Sequence, residues 1–194
     1  MRRYYRVVLV GTSYGGVEAL ERVLPGLSPG LRVPVVVVQH RSRDADGGLC
    51  EFLRDHSPLP VVEPNDKEEV LAGRVYLAPR DYHLLVEDGR FALSVDAPVT
   101  YARPSIDVLF ESAADVYGGA TIGVVLTGAN RDGARGLARI KERGGFAVVQ
   151  DPAEAESRAM PEAAVAGAKV DRVVRLDQVA PLLNELCLPA GEVA

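Results

Sequence analysis

Three short segments, far apart in the chain, carry side chains that could together cleave an ester. Gly11-Thr12-Ser13-Tyr14-Gly15-Gly16 follows the apolar run Val7-Val8-Leu9-Val10, and Gln39-His40 ends Val35-Val36-Val37-Val38. Thr127-Gly128-Ala129-Asn130-Arg131-Asp132-Gly133 follows Ile122-Gly123-Val124-Val125-Leu126. A serine hydroxyl becomes a nucleophile when a base takes its proton, and neutral imidazole is that base near pH 7. A carboxylate that holds the imidazole in one tautomer completes the set. Ser13, His40 and Asp132 are the right types. Each sits where an apolar run gives way to a turn, and in open α/β sheets sites form at the carboxyl ends of strands.

Gly11-Thr12-Ser13-Tyr14-Gly15 satisfies G-x-S-x-G, a turn sharp enough to lift the hydroxyl clear of the backbone. The N–H of the next residue, Tyr14, is then placed to stabilise an oxyanion. The same five residues also fit a plain glycine turn between strand and helix. Asp132 has a second role open to it, capping the helix that begins near Gly133-Ala134, and capping does not exclude holding His40. The order Ser, His, Asp differs from the Ser, Asp, His order of α/β-hydrolases. Only ten residues precede Gly11, so the expectation is some other α/β architecture.

Rival chemistries fit less well. A dinucleotide fingerprint running Gly11, Ser13, Gly16 has serine where backbone must approach pyrophosphate, and Gln39-His40 where the ribose needs an acid. No Gly-Lys-Ser/Thr is present for a P-loop. His56, beside Ser57-Pro58, reads as a surface residue, and His83 as the back-up base. The three histidines match no metal-ligand spacing, and Cys50 and Cys187 read as two reduced, buried thiols.

The elements that must position these residues alternate. Strands are expected over residues 5–10, 32–39, 74–78, 120–126, 146–150 and 172–176. Helices are expected over 17–24, 48–55, 105–117, 134–143, 161–166 and 177–187. Asp88-Gly89 between His83–Glu87 and Arg90–Ser94 signals a hairpin, expected to add to one side of the sheet. The predicted fold is α/β: a doubly wound, mainly parallel sheet with helices on both faces and an antiparallel hairpin at one side. Nothing in the pattern marks a linker or repeat, so one domain over 1–194 is expected.

Composition bounds the rest. The chain has 194 residues, 47% hydrophobic and 25% charged, enough for a core without metal or disulfide help. A net charge of −5 and scattered basic residues disfavour nucleic acid or an anionic membrane as partner, and Arg2-Arg3 reads as a solvated terminus. No apolar run reaches the ~18 residues of a membrane span, and no signal-peptide pattern opens the chain. A cytoplasmic location is the expectation.

Long segments in a fixed order add a resemblance. They include Gly11 to Leu20, Val38-Gln39-His40, Val75-Tyr76-Leu77-Ala78-Pro79, His83-Leu84 and Arg103 to Ala114. Leu126-Thr127-Gly128, Asp132-Gly133-Ala134 and Met160-Pro161 continue the series. The chain resembles the catalytic domain of the chemotaxis protein-glutamate methylesterases, the CheB-type family. The resemblance implies a doubly wound α/β domain that hydrolyses glutamate γ-methyl esters on cytoplasmic helices of methyl-accepting chemoreceptors. Some relatives also deamidate glutamines. By position it puts the nucleophile at Ser13, the base at His40 and the orienting acid at Asp132, with Tyr14, Gly128 and Ala129 beside the oxyanion and substrate. It implies no metal or organic cofactor.

Departures from that pattern are specific. The family's N-terminal receiver domain is not expected here. Its Thr-Gly-Met-Gly reads Thr127-Gly128-Ala129-Asn130, and the residue after the nucleophile, commonly threonine, is Tyr14. His40 is followed by Arg41-Ser42 in place of an apolar residue and proline, leaving Arg41 and Arg43 to meet an acidic receptor helix or water. Tyr14 and Ala129 motivate a second expectation, a catalytically weak relative that binds and regulates a partner.

Overall fold

Valine-rich runs of three to six residues suit strands buried on both faces. In the computed structural model, which describes residues 4–42 and 47–188, they form the centre of the molecule. The strands are β1 (Val7–Thr12), β2 (Val35–Gln39), β3 (Val61–Val62), β4 (Val75–Leu77), β5 (His83–Glu87), β6 (Arg90–Ser94), β7 (Thr121–Val125), β8 (Phe146–Gln150) and β9 (Arg172–Val174). Seven of them pair in parallel in the order β3-β4-β2-β1-β7-β8-β9. On one side the chain runs from β1 through β2 to the edge strand β3, and β4 then fills the place between β2 and β3; the chain next returns to β7 and works outward on the other side. The switch point of this open sheet is therefore the crevice between β1 and β7.

Alternate strand residues feed two cores, as the two-residue period of a strand requires. Val8, Val10, Val37 and Val124 pack with Leu20 and Val23 of α1 (Gly16–Val23), Leu53 of α2 (Leu49–Asp55) and Val179 and Leu183 of α6 (Leu176–Cys187). Val7, Leu9, Val36, Val38 and Val125 pack with Phe110 of α3 (Ile106–Tyr117), Leu137 of α4 (Ala134–Glu142) and Met160 of α5 (Ala159–Gly167). Helices thus cover both faces, and the predicted α/β class is what the chain adopts.

The hairpin forms where Asp88-Gly89 placed it, but β5 and β6 make a two-stranded sheet of their own. Both of its outer edges are already occupied. On β5 the Val86 N–H donates to Ser112 Oγ of α3 at 3.1 Å. On β6 the Phe91 N–H donates to Glu68 O at 2.8 Å, and Phe91 O accepts from Lys67 N at 2.8 Å. The hairpin is fastened to the main sheet by side chains instead, with the Tyr76 and Phe91 rings 4.6 Å apart. The two-residue β3 has no counterpart among the expected strands.

Among the described residues no helix is long and apolar enough to cross a membrane. Cys50 and Cys187 are free and half-buried, and burial pushes the Cys187 thiol up to about 12. Arg2, Arg3 and Arg43 lie outside the described residues.

Candidate active site

β1, β2 and β7 end side by side, with Gly11 level with Val38 on one flank and Val125 on the other. Polar side chains at these ends tie the three corners together. Thr127 O accepts both the Ser13 N–H at 3.0 Å and the Thr12 hydroxyl at 2.8 Å. Gln39, 4% exposed, donates through Nε2 to Ser13 O at 2.8 Å and to His40 O at 2.9 Å. Thr127 Oγ1 donates to Tyr14 O at 2.9 Å, and the His40 N–H donates to Thr12 O at 3.0 Å. The corner after β1 is thus fixed by the strands on either side of it.

Two glycines make the corner possible. Gly15 turns into α1 at a φ of 73°, the left-handed region that disfavours any side chain with a Cβ. At Gly128 a Cβ would stand 3.0 Å from Ser13 Cβ and 2.6 Å from Met160 Cε. The β7 corner can approach Ser13 this closely only because position 128 carries no side chain.

His40 and Asp132, 92 residues apart, meet here: His40 Nε2 lies 2.8 Å from Asp132 Oδ2. The ring is 10% exposed and the carboxylate fully buried. Asp132 sits at the N-terminus of α3, where unpaired N–H groups favour negative charge. Its Oδ2 also accepts from the Ile106 N–H at 2.7 Å, and its Oδ1 from the Ser105 hydroxyl at 2.9 Å and the Asp107 N–H at 3.1 Å. Burial pushes the Asp132 carboxyl up. The bond from His40, the α3 N–H groups and the histidine's charge outweigh it and hold the carboxyl below the usual carboxylate range. A charged oxygen accepting from Nε2 places a proton on that nitrogen, and in the neutral ring the lone pair is then on Nδ1.

Asp107 returns the arrangement. Its Oδ1 accepts from the Gly133 N–H at 2.9 Å and the Gly136 N–H at 2.7 Å at the start of α4. Each of the two helices is thus capped by a carboxylate from the other's neighbourhood. Burial raises the Asp107 carboxyl, and the charge of Asp132 adds to the rise.

Ser13 stands half-buried at the same corner, and among the described residues its hydroxyl makes no hydrogen bond. The Tyr14 and Ala129 N–H groups likewise donate to nothing among the described residues, so both are open to a substrate oxygen. Gly128 differs from them, because its N–H donates to Ser157 O at 3.1 Å. What Gly128 contributes is space. The Tyr14 side chain is 62% exposed at the rim. A groove of about 630 Å³ opens beside His40, walled by Asn130, Thr100, Tyr101, Arg103 and Pro104.

Two expectations are overturned. His83 is no back-up base: it is 1% exposed, its Nδ1 accepts the Ser105 N–H at 3.2 Å and its Nε2 bonds Ala97 O at 3.1 Å. With both nitrogens engaged it is a structural residue behind Ser105. Arg41 is neither solvated nor free for an acidic partner. Its side chain is 5% exposed and bonded to Glu63 and Ala78 O at 2.8 and 2.7 Å. His56 is at the surface as expected, paired with Glu21 at 3.5 Å.

Ser105 had no functional reading of its own in the sequence beyond its place as the first residue of an expected helix, yet it is the N-cap of α3 and one of the four donors to Asp132. Hydrogen bonds to charged groups are worth about 1.5–3 kcal/mol. Ser105→Ala is expected to lower stability by about 2 kcal/mol at pH 7. The loss should shrink in acid, because a carboxyl held low in the fold stabilises above its ordinary range and ceases to as pH falls through its lowered value. Urea unfolding followed from pH 7 down into the acid range where Asp132 takes up its proton in the fold reads both; a loss that stays constant through that titration would show that the bond does not act through the Asp132 charge.

A doubly wound α/β sheet that brings a serine, a histidine and a buried aspartate to neighbouring strand ends gathers the residue types that serine hydrolases use. Comparison with known proteins narrows that class. The model of the CheB methylesterase family matches residues 8–183. A Leptospira interrogans protein, provisionally named protein-glutamate methylesterase/protein-glutamine glutaminase, is 45% identical over 94% of this chain and 95% of its own length. Protein-glutamate methylesterase/protein-glutamine glutaminase 2 of Anaeromyxobacter dehalogenans is 43% identical over 93% of this chain, which spans 53% of that protein. The crystal structure of the Thermotoga maritima CheB methylesterase catalytic domain superposes with a TM-score of 0.89 at 32% identity, covering 95% of this chain and all of the other. The chain belongs to the CheB methylesterase family.

Proposed function

We propose that this chain is a protein-glutamate methylesterase in which Ser13 is the nucleophile, His40 the base and Asp132 the residue that orients it. The observation that carries the reading is the 2.8 Å bond between His40 Nε2 and the buried Asp132 carboxylate, one strand away from the half-buried Ser13 corner. Ser13 Oγ attacks the γ-carbonyl of a glutamate methyl ester as His40 Nδ1 takes its proton. The negative charge that develops on the carbonyl oxygen faces the open Tyr14 and Ala129 N–H groups. The imidazolium, held against Asp132, returns the proton to the departing methoxide, and methanol leaves. Water then attacks the γ-glutamyl ester of Ser13, giving up its proton to His40, which passes it to the departing Ser13 Oγ as the carboxylate is released. The same cycle on glutamine releases ammonia, and the names of the relatives include that activity.

The substrate segments are cytoplasmic helices of methyl-accepting chemoreceptors, and the domain works in the cytoplasm. The groove beside His40 and the exposed Tyr14 rim give such a helix a surface to lie on. The test is methanol release from methylated receptor cytoplasmic fragments by the wild-type protein and by His40→Ala. Release that is lost in the variant is expected. If the folded wild type neither releases methanol nor takes a serine-directed phosphonate, the chain is instead the partner-binding relative that Tyr14 and Ala129 brought into view.

A further inference from the structure

Asn130 lies between two residues of the proposed triad and touches both. Its Oδ1 accepts the Asp132 N–H at 3.0 Å, and its Nδ2 lies 3.4 Å from His40 Nδ1. The first contact fixes the second. A backbone N–H needs an oxygen opposite it, so the carboxamide cannot be turned the other way, and the NH2 group must face the ring. His40 Nε2 is already committed to Asp132, so Nδ1 holds the lone pair and is a good acceptor for that NH2.

We propose that Asn130 is a positioning residue, anchored on the Asp132 N–H, whose NH2 group keeps His40 Nδ1 unprotonated and turned toward the Ser13 corner in the substrate-free protein. The proposal rests on the triad reading above. A donor facing Nδ1 is compatible with neutral imidazole and opposes imidazolium, which would set two N–H groups against each other. It therefore counterbalances Asp132, whose charge favours imidazolium. The other charged groups lining the groove beside His40 are matched already, Arg41 with Glu63 at 2.8 Å and Arg103 with Asp81 at 2.6 Å, and Asp107 behind Asp132 is held by the Gly133 and Gly136 N–H groups. Among these neighbours Asn130 is the one that bears on Nδ1. Because its side chain also lines the groove, an arriving substrate can draw the NH2 group away and free the lone pair for the Ser13 proton.

The experiment follows labelling of Ser13 by a fluorophosphonate from pH 5 to 9 in the full chain, alongside the 15N spectrum of the His40 ring. Asn130→Asp is the informative variant. It keeps the oxygen on the Asp132 N–H and the shape of the side chain, but turns a carboxylate toward Nδ1. The acid limb of labelling should move to higher pH by about one unit, the usual effect of an opposite charge at this range. Asn130→Gly, which removes the donor without adding charge, should move it the same way by less. The wild-type ring should show the Nε2–H tautomer, and the Asp variant imidazolium at neutral pH. A labelling profile for Asn130→Asp that superposes on wild type overturns the proposal, as does a wild-type Nδ1–H tautomer. The expected ring spectra in a protein that takes no label at Ser13 uphold the action of Asn130 on His40 and overturn the triad reading alone.

Discussion

Ser13→Ala is expected to abolish methanol release, a fall on the order of 10^5- to 10^6-fold, while the protein stays as stable as the wild type. The two halves of this expectation have separate causes. Loss of the nucleophile removes the covalent route entirely, and what remains is whatever the open N–H groups and substrate binding do for direct attack by water. Stability is spared because every interaction that shapes this corner runs through the backbone of Ser13. Its N–H donates to Thr127 O, and its carbonyl accepts from Gln39 Nε2 and from the Gly16 N–H at 3.0 Å. The hydroxyl itself makes no hydrogen bond among the described residues, and the side chain is half-exposed. Changes at such sites usually stay within about 0.5 kcal/mol. Turnover on a methylated receptor fragment and a thermal melt check the two halves together. A stable variant that still turns over at the wild-type rate removes Ser13 from the chemistry. A variant that loses both activity and fold would show that the hydroxyl supports the corner, contrary to its lack of partners.

The residues proposed to do the chemistry were legible in the sequence because each lies at or in the turn that follows an apolar run, and the end of a buried strand is a position that a one-dimensional pattern can mark. Ser13, His40 and Asp132 follow β1, β2 and β7 in just this way. The strands and helices around them were legible for the same reason, with ends shifted by a few residues. The hairpin β5–β6 begins and ends where Asp88-Gly89 and its flanks implied. What alternation could not tell is which edge a hairpin finds. That depended on residues 67–68 pairing with Phe91 and on Ser112 meeting Val86, contacts between segments some 23 to 26 residues apart.

The supporting residues were hidden for a related reason. Gln39, Ser105 and Asn130 are ordinary polar residues at a strand end, a helix start and a turn, and their importance lies in which groups they meet after folding. Ser105 lies 27 residues from Asp132, and Thr12 lies 115 from Thr127. His83 was misleading in the opposite sense. A histidine at the start of a strand looks available, but Ser105 and Ala97 take both its nitrogens. Arg41 looked like a surface charge until Glu63 and the Ala78 carbonyl were placed around it. A single sequence shows a residue's type and local period, and the partners of a polar side chain are properties of the assembled sheet.

Asp132→Asn should be the second most damaging change, and it should harm catalysis and stability through one atom. Each oxygen of Asp132 accepts two hydrogen bonds, Oδ2 from His40 and Ile106 and Oδ1 from Ser105 and Asp107. An amide offers one oxygen and one NH2 group. If the NH2 faces His40, the ring must move its proton to Nδ1, and the lone pair that should receive the Ser13 proton is gone. The buried Ile106 N–H then faces a donor. If the NH2 faces the other way, Ser105 can rotate its hydroxyl, but the Asp107 N–H cannot move and loses its acceptor. Turnover is expected to fall about 10^4-fold, the usual cost of a wrong tautomer at this position, and stability by about 1–3 kcal/mol for the stranded donor. The response to acid should weaken. Wild-type Asp132, held below the ordinary carboxylate range, stabilises at neutral pH and loses that contribution as pH falls through its lowered value. Asp107, raised by burial, acts oppositely, costing stability as pH climbs from the ordinary value through its raised one. With Asp132 neutralised, the Asp107 contribution is left, weakened because the Asp132 charge is one cause of its rise. Unfolding free energies of the variant between pH 3 and 7 should therefore be flatter than those of the wild type. A variant as acid-sensitive as the wild type would mean that the wild type's loss of stability in acid comes from carboxylates other than the one between α3 and His40.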